Sequence, residues 1–344
     1  MTMTMKMDIE FAPSVYEHAA AVIGETPWRV ARDPDLLFRA HAEAFGLYRH
    51  ATVVVGIDIY NLEAEAYGAM IAEPAGNGIP SISAPLCQTS ADILKLNRYD
   101  PRRDGRIPMV IETGKRLAAA LPGADIRIPV SGPFSLACNL VGFDRLLCDL
   151  IDEPLTVGQA LDHLVRGQID FCREIYSQGL GIALFESGAT PPLISPEMFA
   201  EIELPALKYL IKEASRITGR PVPCIIGGDT LSILNSILDT GTGYVICPSE
   251  TDQASFMRHM TAYPDVMVRI NTNPAVFAGD NPSLVRREIE RTLTLAGSRQ
   301  KVCIGTGTLP FETNPDLVLT AKKIIRDIGR IRQPAGACDA LPRA

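Results

Sequence analysis

Short apolar runs alternate with longer stretches of helical hydrophobic periodicity along most of the chain. This alternation is typical of βαβ units built around a parallel sheet. The apolar runs predict eight strands, of which the second has the weakest pattern, at residues 51–58, 79–83, 125–132, 181–187, 222–228, 243–248, 266–271 and 301–307. Eight such units predict an α/β fold, the (β/α)8 TIM barrel.

Three of the predicted helices begin with the same signal, a capping residue followed by proline and an acid. It occurs at residues 33–35 (Asp-Pro-Asp), 195–197 (Ser-Pro-Glu) and 314–316 (Asn-Pro-Asp). Asp, Ser and Asn side chains accept hydrogen bonds from free N–H groups at a helix start, and proline is tolerated in the first turn. Pro205 lies within the second of these helices and is expected to kink it.

These helix starts divide the chain into three predicted parts. Residues 1–32 precede the first strong helix signal and are predicted to form an N-terminal helical extension. Residues 33–332 form the barrel domain. Residues 333–344 (QPAGACDALPRA) lack hydrophobic periodicity, so we predict a flexible tail.

The composition excludes several classes of partner. The formal net charge is −7 and no basic stripe is present, so neither nucleic acid nor an anionic membrane is an expected partner. No apolar stretch reaches the roughly 18 to 20 residues that span a bilayer, and the first residues lack the apolar region of a signal peptide. We therefore expect a cytoplasmic protein whose eight cysteines, which show no CxxC spacing, are free.

Two acids at strand ends are the predicted catalytic residues, because a barrel places its site at the carboxyl ends of its strands. Glu186 is interpreted as a proton acceptor, a ligand hydrogen-bond partner or a metal ligand; alternatively, it caps a nearby loop backbone. Asp229 follows Gly227 and Gly228, two glycines that allow the backbone to approach a ligand closely. Its alternative role is the N-cap of the next helix.

Other residues near strand ends are predicted to bind substrate or cofactor. Asn271 and Asn273 offer amide groups suited to the edge of a heterocycle, although an asparagine before proline also suits a plain turn. Asp58 adds a carboxylate near the end of the first strand. Glu63 and Glu65 follow it, and their spacing of two allows at most one of them to point inward from a helix.

Gly305, Thr306 and Gly307 form a short motif at the end of the last strand. The motif is a weak anion-binding signal, which turn geometry alone also explains. We include Thr306 among the predicted ligand-binding residues.

Five segments together resemble the uroporphyrinogen decarboxylase superfamily, and within it the methylcobamide-dependent methyltransferase branch. The resemblance extends from about residue 33 to 328, and its segments are VVVGIDIYNLEAEAYGA, VSGPFSLA, ALFESGATPPLISPEMFAEIELPALKYLI, IIGGDT and GTGTLPFETNPDLVLTA. It implies a barrel whose mouth takes a methyl group from a corrinoid, so cobalamin on a corrinoid-carrying protein is the implied cofactor and partner. The arginine-rich segment with which the decarboxylase proper holds substrate carboxylates has no counterpart here, which disfavours porphyrinogen decarboxylation.

The resemblance also bears on zinc, which thiol-methylating members bind through His-x-Cys at the end of one strand and Cys at the end of the last. Matching GDT at residues 228–230 to the family's Gly-Asn-Thr puts Ile225 and Gly227 at the first two ligand positions. Thr306 stands at the third. The resemblance therefore predicts that this protein has no zinc site.

A protein without zinc lacks the usual means of holding an acceptor thiol as a thiolate, so a different methyl acceptor is expected. Tetrahydrofolate fits, because its N5 amine needs no metal and Glu186, Asp229 and Asn271 are residue types that hydrogen-bond a pterin. The leading hypothesis is a methyltransferase that passes a methyl group from a methylated corrinoid to tetrahydrofolate. Alternatives are direct demethylation of a small methylated donor, a metal-free decarboxylase or lyase, and a non-enzymatic corrinoid- or pterin-binding protein.

Overall fold

The structure is a computed structural model that describes residues 9–331 of the chain, without the side chains of residues 329–331. The strands in this range are β1 (Glu10–Ser14), β2 (Thr52–Val54), β3 (Ile71–Ala72), β4 (Ser81–Ile82), β5 (Asp125–Ser131), β6 (Gly181–Phe185), β7 (Cys224–Ile225), β8 (Tyr244–Cys247), β9 (Met267–Asn271) and β10 (Val302–Thr308).

The helices surround these strands and alternate with most of them. They are α1 (Tyr16–Val22), α2 (Pro27–Arg32), α3 (Pro34–Tyr48), α4 (Leu62–Ala66), α5 (Ser90–Ile93), α6 (Ile107–Ala120), α7 (Pro133–Val141), α8 (Phe143–Asp152), α9 (Pro154–Ser177), α10 (Pro196–Met198), α11 (Leu204–Thr218), α12 (Leu234–Asp239), α13 (Gln253–His259), α14 (Pro282–Ala296) and α15 (Pro315–Ile331). Short 3₁₀ turns occur at Leu231–Ile233, Met260–Ala262 and Pro274–Phe277.

Eight parallel strands form a barrel made of two halves. One half has the order β2-β5-β6-β7 and the other β8-β9-β10-β1. A parallel bridge between Pro223 and Tyr244 joins β7 to β8. The amide of Ala51 donates to the carbonyl oxygen of Phe11 at 3.2 Å, which joins β2 to β1. These two seams connect the halves, and the (β/α)8 barrel predicted from the sequence is confirmed.

Two strand assignments differ from the prediction. The predicted strand at 79–83 is not a barrel strand, since β4 pairs antiparallel with β3 in a separate hairpin. The barrel instead contains β1, which lies in the predicted N-terminal extension and pairs with β10 from Glu10 to Ser14. The sequence of β1, EFAPS, shows no apolar run, and its proline lacks the N–H of a regular strand residue. The predicted tail, 333–344, lies outside the described residues.

The predicted helix starts are confirmed. The Asp33 side chain accepts from the amides of Asp35 and Leu36 at 2.8 and 3.0 Å. The Ser195 hydroxyl accepts from the amide of Met198 at 3.2 Å, and Asn314 accepts from the amide of Asp316 at 3.0 Å. Each cap satisfies N–H groups that the first helical turn leaves free.

The helix that begins after Ser195 is interrupted where the sequence predicts a kink. Phe199–Glu203 forms a wide π-type turn, and α11 begins at Leu204 with Pro205 in its first turn. Proline lacks the N–H that an α-helix requires there, so the chain widens before it and restarts.

Apolar side chains between the sheet and the helices form the main hydrophobic core. A second, smaller cluster fills the barrel interior: Ile59, Ala183, Phe185, Ile225 and Ile246. The barrel is therefore a packed core below its mouth. Across residues 9–331, every helix falls short of the length and hydrophobicity needed to cross a bilayer.

Candidate active site

A cavity of about 760 Å³ opens at the carboxyl ends of the barrel strands. Residues that follow the strands line it, among them Asp58 after β2, Ser187 after β6 and Gly227 after β7. Segment 79–82 adjoins the cavity from the β3–β4 hairpin. The cavity lies where barrels position ligands, and its volume suits a small-molecule substrate.

The inner wall of this cavity is apolar and aromatic. Phe185 and Ile225 come from the barrel interior. The rings of Tyr16 and Tyr60 each meet Phe185 edge-on, with centroids 6.2 Å apart. The Tyr60 hydroxyl donates to Ser187 Oγ at 2.8 Å. Such a wall favours a flat or apolar ligand body.

Asp58 faces the cavity, as predicted for a binding residue, and is 5% exposed. Arg106, directly before α6, donates to both its oxygens, at 2.8 and 2.6 Å. The Asn61 amide adds a third hydrogen bond at 3.2 Å. A carboxylate has about four acceptor sites, so roughly one remains for a ligand.

The Asp58–Arg106 pair extends outward as a chain of charged side chains. Arg106 also contacts Glu65 at 2.5 Å, and Glu65 pairs with Arg32 at 3.2 Å. The Arg32 guanidinium lies 4.0 Å from the centroid of the Trp28 ring. Glu65 therefore belongs to this series of ion pairs and does not line the cavity.

Asn271 and Asn273 occupy different environments. Asn271 lines the cavity and is 6% exposed, and its Oδ1 has no hydrogen-bond partner among the described residues. Asn273 is exposed, and its side chain accepts from the amide of Ala275 at 3.0 Å. The structure thus places Asn271 at the candidate site and gives Asn273 the turn geometry that was its alternative.

The glycine pair before Asp229 shapes the rim of the cavity. Gly227 lines it and donates to Ser187 Oγ at 3.3 Å. Gly228 has φ of +82°, and a Cβ there would lie 2.9 Å from Thr190 Oγ1. Glycine is favoured at position 227 because a ligand can approach a backbone that carries no side chain. It is favoured at position 228 because φ is positive there.

Asp229 itself lies away from the cavity lining. It is exposed and accepts from Thr251 Oγ1 at 2.8 Å. The same Thr251 hydroxyl accepts from the amide of Leu231 at 3.2 Å, so Thr251 caps the next helical turn. Asp229 therefore does not line the cavity, and Thr251 rather than Asp229 caps the next helical turn.

Glu186, the other predicted catalytic acid, is completely buried and is not part of the cavity lining. Its carboxylate accepts from the Ser135 hydroxyl at 2.5 Å and from the amides of Phe134 and Gly188 at 3.1 and 3.2 Å. A Cβ on Gly132 would lie 2.1 Å from its Oε2. These contacts cap the first turn of α7 and the loop backbone at Gly188, and the second of them matches the alternative role, the capping of a nearby loop backbone.

Glu203, which the sequence analysis missed, lies beside Glu186 in the π-type turn. It is fully buried, and its carboxyl group meets the carboxylate of Glu186 and the backbone amide of Phe134. Burial and the charge of Glu186 hold the pKa of Glu203 well above its ordinary value. Glu203 is therefore a neutral acid, and the pair belongs to the framework beneath the mouth.

Glu63 is buried on the same side of the barrel, away from the cavity lining. It accepts from the amide of Ser131 at 2.8 Å and from Gln168 at 3.4 Å. Burial raises its pKa to about 7, although the hydrogen bonds oppose this shift.

Glu17, at the start of α1, is a cavity-lining acid that the sequence analysis did not find. It is 8% exposed, and its Oε2 is buried without a hydrogen-bond partner in the described part of the chain. Burial raises its pKa to about 7, and the charge of Glu312 adds to this. The sequence carried no signal for it, because Glu17 lies in the segment predicted to be an extension. A carboxyl group with this pKa is suited to proton transfer near neutral pH.

Arg269, in β9, is a second missed residue that lines the cavity and is 8% exposed. The sequence feature that could have identified Arg269 is its charge within the otherwise apolar run of the predicted strand at 266–271.

The three residues at the positions of the family's zinc ligands lie in different environments. Ile225 and Gly227 line the cavity, whereas Thr306 is fully buried and accepts from the amide of Ser14 at 3.2 Å, between β1 and β10. Thr306 thus stabilises the barrel wall and does not belong to the cavity lining. Within residues 9–331, His, Cys, Asp and Glu side chains nowhere gather in threes that would hold a metal ion.

Comparison with known proteins agrees with this architecture. A methyltransferase from Methanosarcina mazei matches with a TM-score of 0.80 at 19% identity, covering 93% of this chain and 94% of that one. A B12-independent methionine synthase from Shewanella sp. W3-18-1, solved with selenomethionine, matches with a TM-score of 0.56 at 11% identity over 87% of each chain. These likenesses show a shared fold.

Sequence comparison identifies the family. A search of curated protein sequences found no match. The family model of uroporphyrinogen decarboxylase (URO-D) matches residues 12–326, which include the eight barrel strands except the first two residues of β1. The chain therefore belongs to the uroporphyrinogen decarboxylase family.

Proposed function

We propose that the protein is a methyltransferase that moves a methyl group between a corrinoid, carried by a partner protein, and tetrahydrofolate bound in the barrel cavity. The observation that carries the proposal is one cavity combining an apolar, aromatic wall with the polar groups of Asp58 and Asn271. This combination suits a pterin, whose flat ring carries amide and amino groups along one edge. The fold shared with a methyltransferase supports the reaction class.

Asp58 and Asn271 hold the ring in this proposal. The Asp58 carboxylate, fixed by Arg106, accepts from an N–H of the pterin edge. The Asn271 amide, whose oxygen is unpartnered in the described structure, supplies a second hydrogen bond. Fixing one reactant at the barrel mouth lowers the entropic cost of meeting the corrinoid there.

Glu17 manages the proton. A methylated corrinoid on the partner would supply the methyl group, and the N5 amine would lose its proton on becoming methylated. Glu17 lines the same cavity and has a pKa of about 7 because it is buried, so it is the group suited to accept this proton.

The direct test is to mix the purified protein with methylcobalamin and follow the corrinoid spectrum. We expect a spectral change that requires tetrahydrofolate. A change with thiols alone would instead indicate thiol methylation, and CO2 release from a carboxylated substrate would indicate a lyase. Binding of either compound without turnover would indicate a non-enzymatic binding protein.

Two asparagines on one chain segment provide a matched pair for this assay. Asn271→Ala removes an amide from the cavity, so we expect about tenfold or greater loss of kcat/KM for tetrahydrofolate. Asn273→Ala removes an exposed turn contact outside the cavity and should leave kcat/KM near the wild-type value. Equal effects of the two substitutions would contradict the placement of the pterin.

A further inference from the structure

Arg269 forms the floor of the cavity. It lines the cavity of about 760 Å³ and also a void of about 30 Å³ that lies within the barrel, next to Ala183 and Tyr244. The guanidinium thus separates the open mouth from the packed interior. Arg269 is 8% exposed and is one of the residues that line the cavity.

The positive charge of Arg269 has no acidic partner among residues 9–331, and its Nε has no hydrogen-bond partner there. The titratable groups around it are Tyr16, Tyr244 and Cys303. Burial raises the pKa of Tyr16 to about 12 and that of Cys303 to about 11, and raises that of Tyr244 above its ordinary range. All three are neutral near pH 7 and cannot balance the charge.

Two other arginines near the barrel, the buried Arg106 and the partly buried Arg127, are paired with acids. Arg106 contacts Asp58 and Glu65. Arg127, which lines the same small void as Arg269, pairs with Asp125 at 2.9 Å through Nε. A buried cation without an anion is costly, so the lack of a partner at Arg269 calls for an anion from outside the chain.

The neighbouring strand leaves room for Arg269 and Asn271. Gly305 of β10 lies beside them, and a Cβ on it would be 2.8 Å from Arg269 Cδ and 2.5 Å from Asn271 Oδ1. Arg269 and Asn271 are two residues apart on β9, so they share its inward face. Arg269 Nε and Asn271 Oδ1, which both lack a hydrogen-bond partner among residues 9–331, therefore adjoin in one cavity, while the guanidinium also hydrogen-bonds the neutral Tyr244 side chain.

We propose that Arg269 binds the carboxylate of a small carboxylic acid that occupies this cavity. The guanidinium fork matches the two oxygens of a carboxylate, and Asn271 donates a further hydrogen bond through Nδ2. The apolar part of the ligand packs on Phe185 and Ile225. Arg269 is one cation without an acidic partner and balances a monoanion, whereas a phosphate dianion would leave a buried negative charge unbalanced.

This inference concerns ligand binding alone and goes beyond the proposed methyl transfer. It is tested on the protein by itself, without corrinoid or folate. A failure of methyl transfer would therefore leave it standing, and the reverse also holds.

The test compares benzoate with benzamide, which has the same shape and no charge, by calorimetry and ligand-observed NMR. We expect benzoate to bind wild-type protein at least about tenfold more tightly than benzamide. Arg269→Met should abolish this preference. It should also raise the melting temperature by about 2 °C or more, because it removes a buried unpaired charge.

Arg127→Met is the matched control. It breaks an ion pair inside the same barrel and should lower the melting temperature while leaving benzoate binding unchanged. A destabilised Arg269→Met protein that still prefers benzoate would overturn the proposal, since Arg269 would then be a structural residue.

Two further measurements apply if Arg269→Met does not fold. Arg269→Lys keeps the charge and loses the fork, so benzoate affinity should fall several-fold while benzamide affinity stays the same. Unchanged benzoate affinity in this variant would overturn the proposal. Tighter binding of inorganic phosphate than of benzoate would overturn the choice of a carboxylate.

Discussion

Glu17 combines a place in the cavity with a pKa of about 7, which its burial causes. If it accepts the N5 proton, it must be deprotonated to act, so methyl transfer should accelerate as pH rises through about 7. Glu17→Gln should lower kcat by about 100-fold and remove this rise. The measurement is kcat against pH for both proteins.

Glu63 provides the control for this pH profile. Burial raises its pKa to about 7 as well, but it lies outside the cavity lining. Glu63→Gln should therefore keep the wild-type pH profile. If the pH profile changes in Glu63→Gln and not in Glu17→Gln, then Glu17 is not the residue that accepts the proton.

Glu186 is expected to act on stability. Glu186→Ala removes the acceptor for the buried amides of Phe134 and Ser135 and for the Ser135 hydroxyl. Unsatisfied buried donors cost about 1 to 3 kcal/mol each, so the loss of the acceptor for three of them should lower the free energy of unfolding by at least about 3 kcal/mol. Denaturant titration measures this loss.

The isosteric change separates this structural role from catalysis. Glu186→Gln keeps an acceptor oxygen, so the folded protein should retain near wild-type turnover. A large loss of kcat in a stably folded Glu186→Gln protein would show that Glu186 takes part in catalysis.

Individual site residues were predictable only in part. Position after a strand predicted that Asp58, Gly227 and Asn271 would face the mouth, and the structure places them there. The same rule failed for Glu186, because a strand-end side chain can turn under the adjacent helix when a glycine makes room, as Gly132 does. A pattern along one chain does not show which neighbour a side chain meets.

At the scale of elements, β1 is the strand that completes the barrel. Phe11 lies within it and is 6% exposed. Phe11→Ala should lower the free energy of unfolding of the whole barrel by about 3 to 5 kcal/mol, in a single transition. Denaturant unfolding followed by circular dichroism measures it.

The adjacent Glu10 is the control, since it is exposed in the same strand. Glu10→Ala should change the free energy of unfolding by less than about 0.5 kcal/mol. Barrel unfolding that is insensitive to Phe11→Ala would mean that β1 is a dispensable extension.

The contrast between β1 and β4 shows what limits strand prediction. The apolar runs predicted β5, β6, β8, β9 and β10 well, because strands buried on both faces need continuous hydrophobic residues. β1 is short and contains Pro13, so no run marks it. Residues 79–83 form a weak apolar run, but they pair antiparallel in a hairpin beside the cavity and not in the barrel.

At the scale of the whole molecule, the expected chemistry makes no use of zinc. Ile225, Gly227 and Thr306 stand where the family resemblance implies ligands, and none of them binds zinc through its side chain. We expect purified protein to hold well below one zinc per chain and to keep its activity in a chelator. Elemental analysis that finds about one zinc per chain, with activity lost on chelation, would contradict this prediction.

The chain of charges from Asp58 to Arg32 ends against Trp28, the single tryptophan of the sequence. Indole fluorescence depends on nearby charge. Trp28 emission should therefore report changes at Asp58 in the cavity wall. A ligand that engages Asp58 should shift Trp28 emission with the midpoint found by calorimetry. Asp58→Asn should uncouple the two signals, and unchanged emission on saturation of the wild-type protein would show that the chain of ion pairs does not transmit binding.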